Sequence, residues 1–277
     1  MIKIKVQRKT NNTSLENTKN LKLSIQFSLD GFSFCISEEN NTILYFSEYT
    51  FDKVQTTPKN LLLKIQEIFK KDSNLQKDFI AVLVIHQNNL STLVPNQYFD
   101  ESKLEKYLNF NIKTLATDFI TFDNLEQIQA KNVFVPYVNI NNYLFQNFGE
   151  FDYKHHLSIL IEKLIEKSTF TDKRMFVNVN TSTFDIIVLQ GKNLVLANSF
   201  SFNTKEDFIY YILFTIEQLG LDTEKLQLSL MGGIEEESEI YKIVYVYIRN
   251  IHFLESQSSI FNEISHSKHS NFILLGS

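Results

Sequence analysis

The chain has 277 residues, of which 43% are hydrophobic, enough for one large domain or two lobes with a sizeable core. A net charge of −5 and scattered Lys and Arg exclude a nonspecific nucleic-acid binder. One cysteine excludes an internal disulfide, and no apolar run reaches the roughly 18 residues that a membrane span needs.

Residues 1–20 are polar and basic, lack an apolar core of the kind a signal peptide carries, and read as a flexible N-terminal segment in which only MIKIKV has strand character. Leu21 to Phe27 alternates apolar and polar side chains, Phe32 to Ile36 is apolar, Asn40-Asn41 makes a turn, and Ile43 to Phe51 is a third strand. NLLLKIQEIFKK follows at helical spacing, with Leu62, Ile65, Ile68 and Phe69 on one face and Pro58 in the first turn. FIAVLVI is then a continuous apolar strand of the kind covered on both faces. Cys35 inside its apolar strand reads as a buried structural thiol. His86, at the end of FIAVLVI, reads as structural.

Residues 90–150 are predicted to hold a strand ending at Pro95, a short helix capped by Asp100, strands in FITFDN and NVFVPYVN, and a helix stopped by Gly149. Tyr153 to Lys167 reads as a helix with Leu157, Leu160, Ile161, Leu164 and Ile165 on one face. A second meander follows: Met175 to Val179, Phe184 to Leu189, a turn at Gln190–Asn193, and Leu194 to Phe202. A helix with Phe208, Ile212, Ile216 and Leu219 comes next, capped by Asn203 or Thr204 at its start and Gly220 at its end. Leu226 to Leu230 is a short strand, Gly232-Gly233 opens a turn, and Glu239 to Ile251 reads as a last helix. Residues 256–277 read as a polar tail in which His266 and His269 are solvated.

One unit therefore occurs twice. IQFSLDGFSFCI aligns without gaps on VNVNTSTFDIIV, placing Phe32 opposite Phe184. Strand-strand-strand-helix-strand, with a Gly pair after the second copy, resembles the actin, Hsp70 and sugar-kinase superfamily. The extra stretch after Pro95 resembles the additional subdomain of the type IV pilus protein PilM and the cell-division protein FtsA. LVPNQYF, NVFVPYVN and YKHHLSIL resemble an uncharacterised Bacteroidetes family assigned to the same superfamily. The resemblance implies an α/β fold: a duplicated, RNase H-like pair of lobes with a small inserted α/β subdomain. Lobe one would span 21–168, with the insertion at about 92–150, and lobe two 169–255.

In that superfamily a D-x-G turn in each lobe cradles phosphate and helps to hold Mg²⁺, and the later Gly pair lets backbone approach adenosine. Here Gln26 and Ser28 occupy the first turn, while Asn178 and Asn180 occupy the second. These amides and hydroxyls bind water but supply no charge to a metal, which needs hard anionic oxygens. Thr181 and Ser182 remain as hydroxyl donors, and Gly232 and Gly233 as the retained motif. Asp30 and Asp185 are expected in surface or turn roles. Glu235 to Glu237 would suit a helix N-terminus and would repel an anionic ligand. His155-His156 point about 100° apart on a helix, which is not a chelating pair, so no metal site is read. No catalytic residue is assigned. Three readings follow, in this order: a catalytically degenerate cytoplasmic scaffold that binds an unknown protein partner or forms a homodimer; an ATPase or kinase with atypical turns, holding ATP or ADP with Mg²⁺ weakly; and a binding module that uses no nucleotide.

Overall fold

Two hydrophobic periods, two residues for strands and 3.6 for helices, alternate along the chain, and the structure follows them. It is a computed structural model, describing residues 5–9, 15, 17–55 and 57–276. The first sheet contains β1 (Lys5–Lys9), β2 (Lys22–Phe27), β3 (Gly31–Ser37), β4 (Ile43–Thr50), β5 (Ala81–His86) and β9 (Asp152–His155), in the order β1-β4-β3-β2-β5-β9. The second contains β10 (Lys173–Val179), β11 (Thr183–Gln190), β12 (Asn193–Ser201), β13 (Gln227–Gly232) and β14 (Asn250–Phe253), in the order β12-β11-β10-β13-β14.

The two sheets are copies of one design. Phe27 pairs with Phe32 across the first hairpin and Val179 with Phe184 across the second, so Phe32 and Phe184 occupy equivalent positions. The parallel partners of these strand ends are His86 in lobe one and Gly232 in lobe two. Even the irregularity repeats: the ladder slips between Ile36 and Ser37 in one copy and between Val188 and Leu189 in the other.

Each copy carries its crossover helix. α1 (Pro58–Lys71) starts at Thr57, whose side chain accepts from the Asn60 amide, and buries Leu61, Ile65, Ile68 and Phe69. Removing each such side chain from water stabilises the lobe by about 1.5–3 kcal/mol. Leu62, expected on that face, is half-buried at its margin. α5 (Lys205–Gln218) is capped by Thr204 rather than Asn203, with Asp207 closing a capping box.

Between the copies lies a separate three-stranded sheet of β6 (Ser91–Pro95), β7 (Thr121–Leu125) and β8 (Ala130–Phe134), in the order β6-β8-β7 with α2 (Leu104–Leu108) against it. It does not extend the main sheet. The following helix, α3 (Val138–Phe148), places Ile140 and Leu144 in the lobe-one core instead. α4 (His156–Glu166) then runs between the lobes, burying Leu157, Leu160, Ile161, Leu164 and Ile165 in a core shared by both.

Four expectations need correction. Residues 5–9 of the segment expected to be flexible form a strand, antiparallel to β4, while 1–4, 10–14 and 16 lie outside the described residues. The helix expected from Tyr153 begins at His156, because Asp152–His155 pairs with β5 as the sixth strand of its sheet. The last long helix is shorter too: α6 (Glu239–Tyr247) stops where Asn250–Phe253 joins β13. The tail is not a solvated appendage. Its short helix α7 (Phe272–Leu275) buries four consecutive apolar residues in the inter-lobe core.

Candidate functional site

Strand β2 and strand β10 both end at the crevice between the lobes, so the two hairpin turns that follow face each other there. The crevice is a cavity of about 360 Å³ that brings together Gln26, Ser28, Asn178, Asn180, Thr181, Gly232 and Gly233. Ser182 is the one predicted site residue outside it; it borders a small adjoining cavity, and its carbonyl accepts from the Phe202 amide.

The two turns are built alike. Ser28 N–H donates to the Gly31 carbonyl at 3.0 Å, and Asn180 N–H to the Thr183 carbonyl at 2.8 Å. Neither turn uses a positive φ, so Asn180 holds its place in the second turn without needing glycine's freedom. The buried Gln26 donates to Gln87 Oε1 at 2.6 Å, and its own Oε1 finds no partner among the described residues. Ser28 donates to Asp30. Asn178 is buried and donates to Asp185 at 3.0 Å.

Asp185 is not a surface residue, as expected from the sequence, but 1% exposed. β11 is covered on both faces, so alternation does not send this side chain to water. It receives His156 Nε2 at 3.1 Å, Ser199 Oγ at 2.5 Å and the Asn178 amide. Burial alone would raise its pKa; the His156 imidazole, followed by the Ser199 and Asn178 donors, outweighs that and holds the carboxyl below its ordinary value. Lobe one places its carboxylate one strand over. Glu48 on β4 receives His266 Nε2 and Asn271 Nδ2, each at 3.0 Å. Burial opposes ionisation there also, and those two donors again bring the pKa below the ordinary value.

His266 and His269, expected to be solvated, instead anchor the C-terminal segment in the crevice. His269 is 5% exposed, stacks on Phe253 with ring centroids 4.1 Å apart, and bonds the Ile234 carbonyl at 2.7 Å. Its own carbonyl accepts from Gly232 N–H at 2.8 Å, while Gly233 N–H donates to the Val179 carbonyl at 2.7 Å. Both amides of the Gly pair are therefore used inside the chain. Gly232 is obligatory for another reason: its φ is +87°, and a Cβ there would be driven into the Val179 carbonyl and lie 2.9 Å from the Val179 nitrogen. Glu235 borders the crevice and accepts from Ser267. Glu236 and Glu237 face solvent, and only Glu239 enters the first turn of α6.

The remaining candidates are buried. His86 accepts from the Tyr137 amide through Nδ1 and meets Asn141 through Nε2; burial pushes its pKa down to about 4. His155 pairs with Asn132 and the Asn88 carbonyl, and with Asp123 and Ser158 forms a polar network where the inserted sheet meets α4. Cys35 is 3% exposed, and burial raises its thiol to about 11.

Comparison with solved structures shows the fold. A Bacteroides thetaiotaomicron protein described as having an actin-like ATPase fold and unknown function superposes with a TM-score of 0.82 at 22% identity, covering 95% of this chain and 97% of that one. The PilM–PilN type IV pilus biogenesis complex superposes with a TM-score of 0.52 at 12% identity, covering 86% and 89%. The chain thus has the duplicated actin-like α/β fold. No curated protein matches its sequence. Residues 10–251 match the profile of a family described as "Protein of unknown function (DUF3822)".

Proposed function

The chain belongs to the DUF3822 family, and from that premise we propose that it is a catalytically degenerate actin-like protein serving as a cytoplasmic protein-binding scaffold. One observation carries the reading: a carboxylate in the strand layer beneath each turn is held by a histidine, Asp185 by His156 and Glu48 by His266. A phosphoryl-transfer site needs such oxygens free to hold Mg²⁺ and to neutralise developing charge. The residues bordering the crevice do not fit a Mg²⁺-nucleotide. They include Asp30, Glu48 and Glu235 but no Lys or Arg, so a triphosphate would meet negative charge. The amides of the Gly pair, which would approach an adenosine, are taken up by His269 and Val179.

Support for the scaffold half of the reading comes from the likeness to PilM, which is solved in complex with another protein, PilN. The test is phosphate release from ATP with Mg²⁺. Release indistinguishable from buffer, unchanged by Asn178→Ala, is the expected result. Turnover that Asn178→Ala abolishes would instead establish an enzyme with atypical turns.

A further inference from the structure

The internal repeat exposes an asymmetry at the sheet edges. In lobe one the outer side of β4 is covered: β1 pairs antiparallel with Phe46 to Thr50. The equivalent residues of lobe two are Ala197 to Ser201, as the pairing of Cys35 with Phe46 and of Ile187 with Ala197 establishes. Among the described residues no strand pairs with their outer side, where the Ser199 amide alone is met by the Asn198 side chain at 3.0 Å, and β12 ends its sheet. Exposed edges in soluble proteins usually carry charge or proline that blocks further pairing. β12 reads NLVLANSFS and has neither.

A second observation shows room for a further strand there. Ala197 to Ser199 border a cavity of about 650 Å³ whose other wall includes Ser91 to Leu93 of β6, itself an edge strand of the inserted sheet. Two edge strands from different sheets thus line one space. Its border mixes apolar side chains, such as Leu93 and Leu196, with polar ones, such as Thr92 and Asn198, and its single charge is Lys113.

We propose that this cavity takes an extended segment of a partner protein, which adds an antiparallel strand to β12 as β1 does to β4. Backbone hydrogen bonds along the edge would supply affinity, and alternate side chains would read the two walls. The border's chemistry specifies a segment of alternating apolar and polar residues with a carboxylate reaching Lys113. The inference rests on the scaffold reading and names its surface and partner class.

The test pans a random dodecapeptide display library on the full chain, then measures binding of the recovered peptides as synthetic material. Expected are peptides of alternating pattern with an acidic residue. They should slow amide exchange at 197–201 and bind at least tenfold more weakly to the double variant Val195→Lys, Asn198→Lys. Both positions are exposed, so circular dichroism should confirm that this variant folds. A library yielding no such peptide, protection that maps elsewhere, or binding of a second copy at this edge instead would overturn the proposal. Its failure is separable from that of the scaffold reading: ATP turnover alongside intact peptide binding would sink only the latter.

Discussion

The two lobes share strand order, register, bulge position and crossover helix, yet differ at the layer beneath their hairpin turns. Lobe one stacks Gln26, Ser33 and Glu48 across three strands where lobe two stacks Asn178, Asp185 and Ser199. Each keeps one carboxylate, on a different strand, and each carboxylate meets a histidine from outside its own repeat. His156 begins α4, and His266 belongs to the C-terminal segment. What the lobes have in common is therefore not a residue at a fixed position but a tie between the sheet and an inter-lobe element. A charge near each turn has been spent on holding the lobes together.

The most damaging way to break this comparison is to give lobe two the lobe-one residue. Asp185→Ser leaves buried His156 and the Asn178 and Ser199 donors without their shared acceptor and should cost about 3–5 kcal/mol by chemical denaturation, the usual loss when one partner of a buried pair is removed. The converse change, Glu48→Ser, should cost only about 1–2 kcal/mol, because Glu48 is 29% exposed and water can replace it. Equal losses would contradict the difference drawn between the lobes.

Position 232 sharpens the comparison further, since lobe one has His86 at the matching place. Gly232→Ala should lose about 3 kcal/mol or more, from a left-handed backbone plus a Cβ against Val179. Gly233→Ala, whose Cβ would lie 3.6 Å from that carbonyl, should lose under about 1 kcal/mol in the same denaturation series.

His86 makes lobe one the acid-sensitive partner at this position. Its pKa falls to about 4 on burial, so the unfolded chain takes the proton first; stability present above pH 6.5 is lost as the pH falls towards 4. That window corresponds to roughly 3 kcal/mol. His155, also pushed well below its ordinary value by burial, steepens the slope, whereas Asp123, raised to about 6 by burial, opposes it. Comparing wild type with His86→Gln isolates one group: the variant's stability should fall less between pH 6.5 and 4. Parallel curves would refute the assignment.

The smallest effect lies at the helix starts. Thr204→Ala removes half of a reciprocal capping box and should cost about 1 kcal/mol, against about 0.5 kcal/mol for Thr57→Ala, whose side chain caps one amide alone. Thermal melts of the two variants would rank them.

Much of this fold was legible because hydrophobic period and turn residues agree locally. The repeated meander, α1, α5 and the Phe32–Phe184 equivalence all follow from them. The elements misread were short strands whose partner is distant. Asp152–His155 and Asn250–Phe253 continue helix-like patterns into sheets, and nothing local marks the pairing that claims them. The crevice was half legible. The repeat located Gln26, Ser28, Asn178 and Asn180, but not the histidines that complete the site. Asp185 did leave a signal, a carboxylate inside the apolar run FDIIV, which only coverage on both faces turns into a buried charge. His266 and His269 left none, because a Ser- and His-rich segment looks solvated until Phe272 to Leu275 pull it into the core.

Asp185, Glu48 and both glycine amides beside the turns are already engaged by the chain itself. Calorimetric titration of the purified protein with ATP and Mg²⁺ tests that engagement most directly. No saturable heat is expected, or a Kd weaker than about 1 mM, equivalent to about −4 kcal/mol. A Kd in the micromolar range that Gly232→Ala or Asp185→Ser abolishes while the variant remains folded would contradict it.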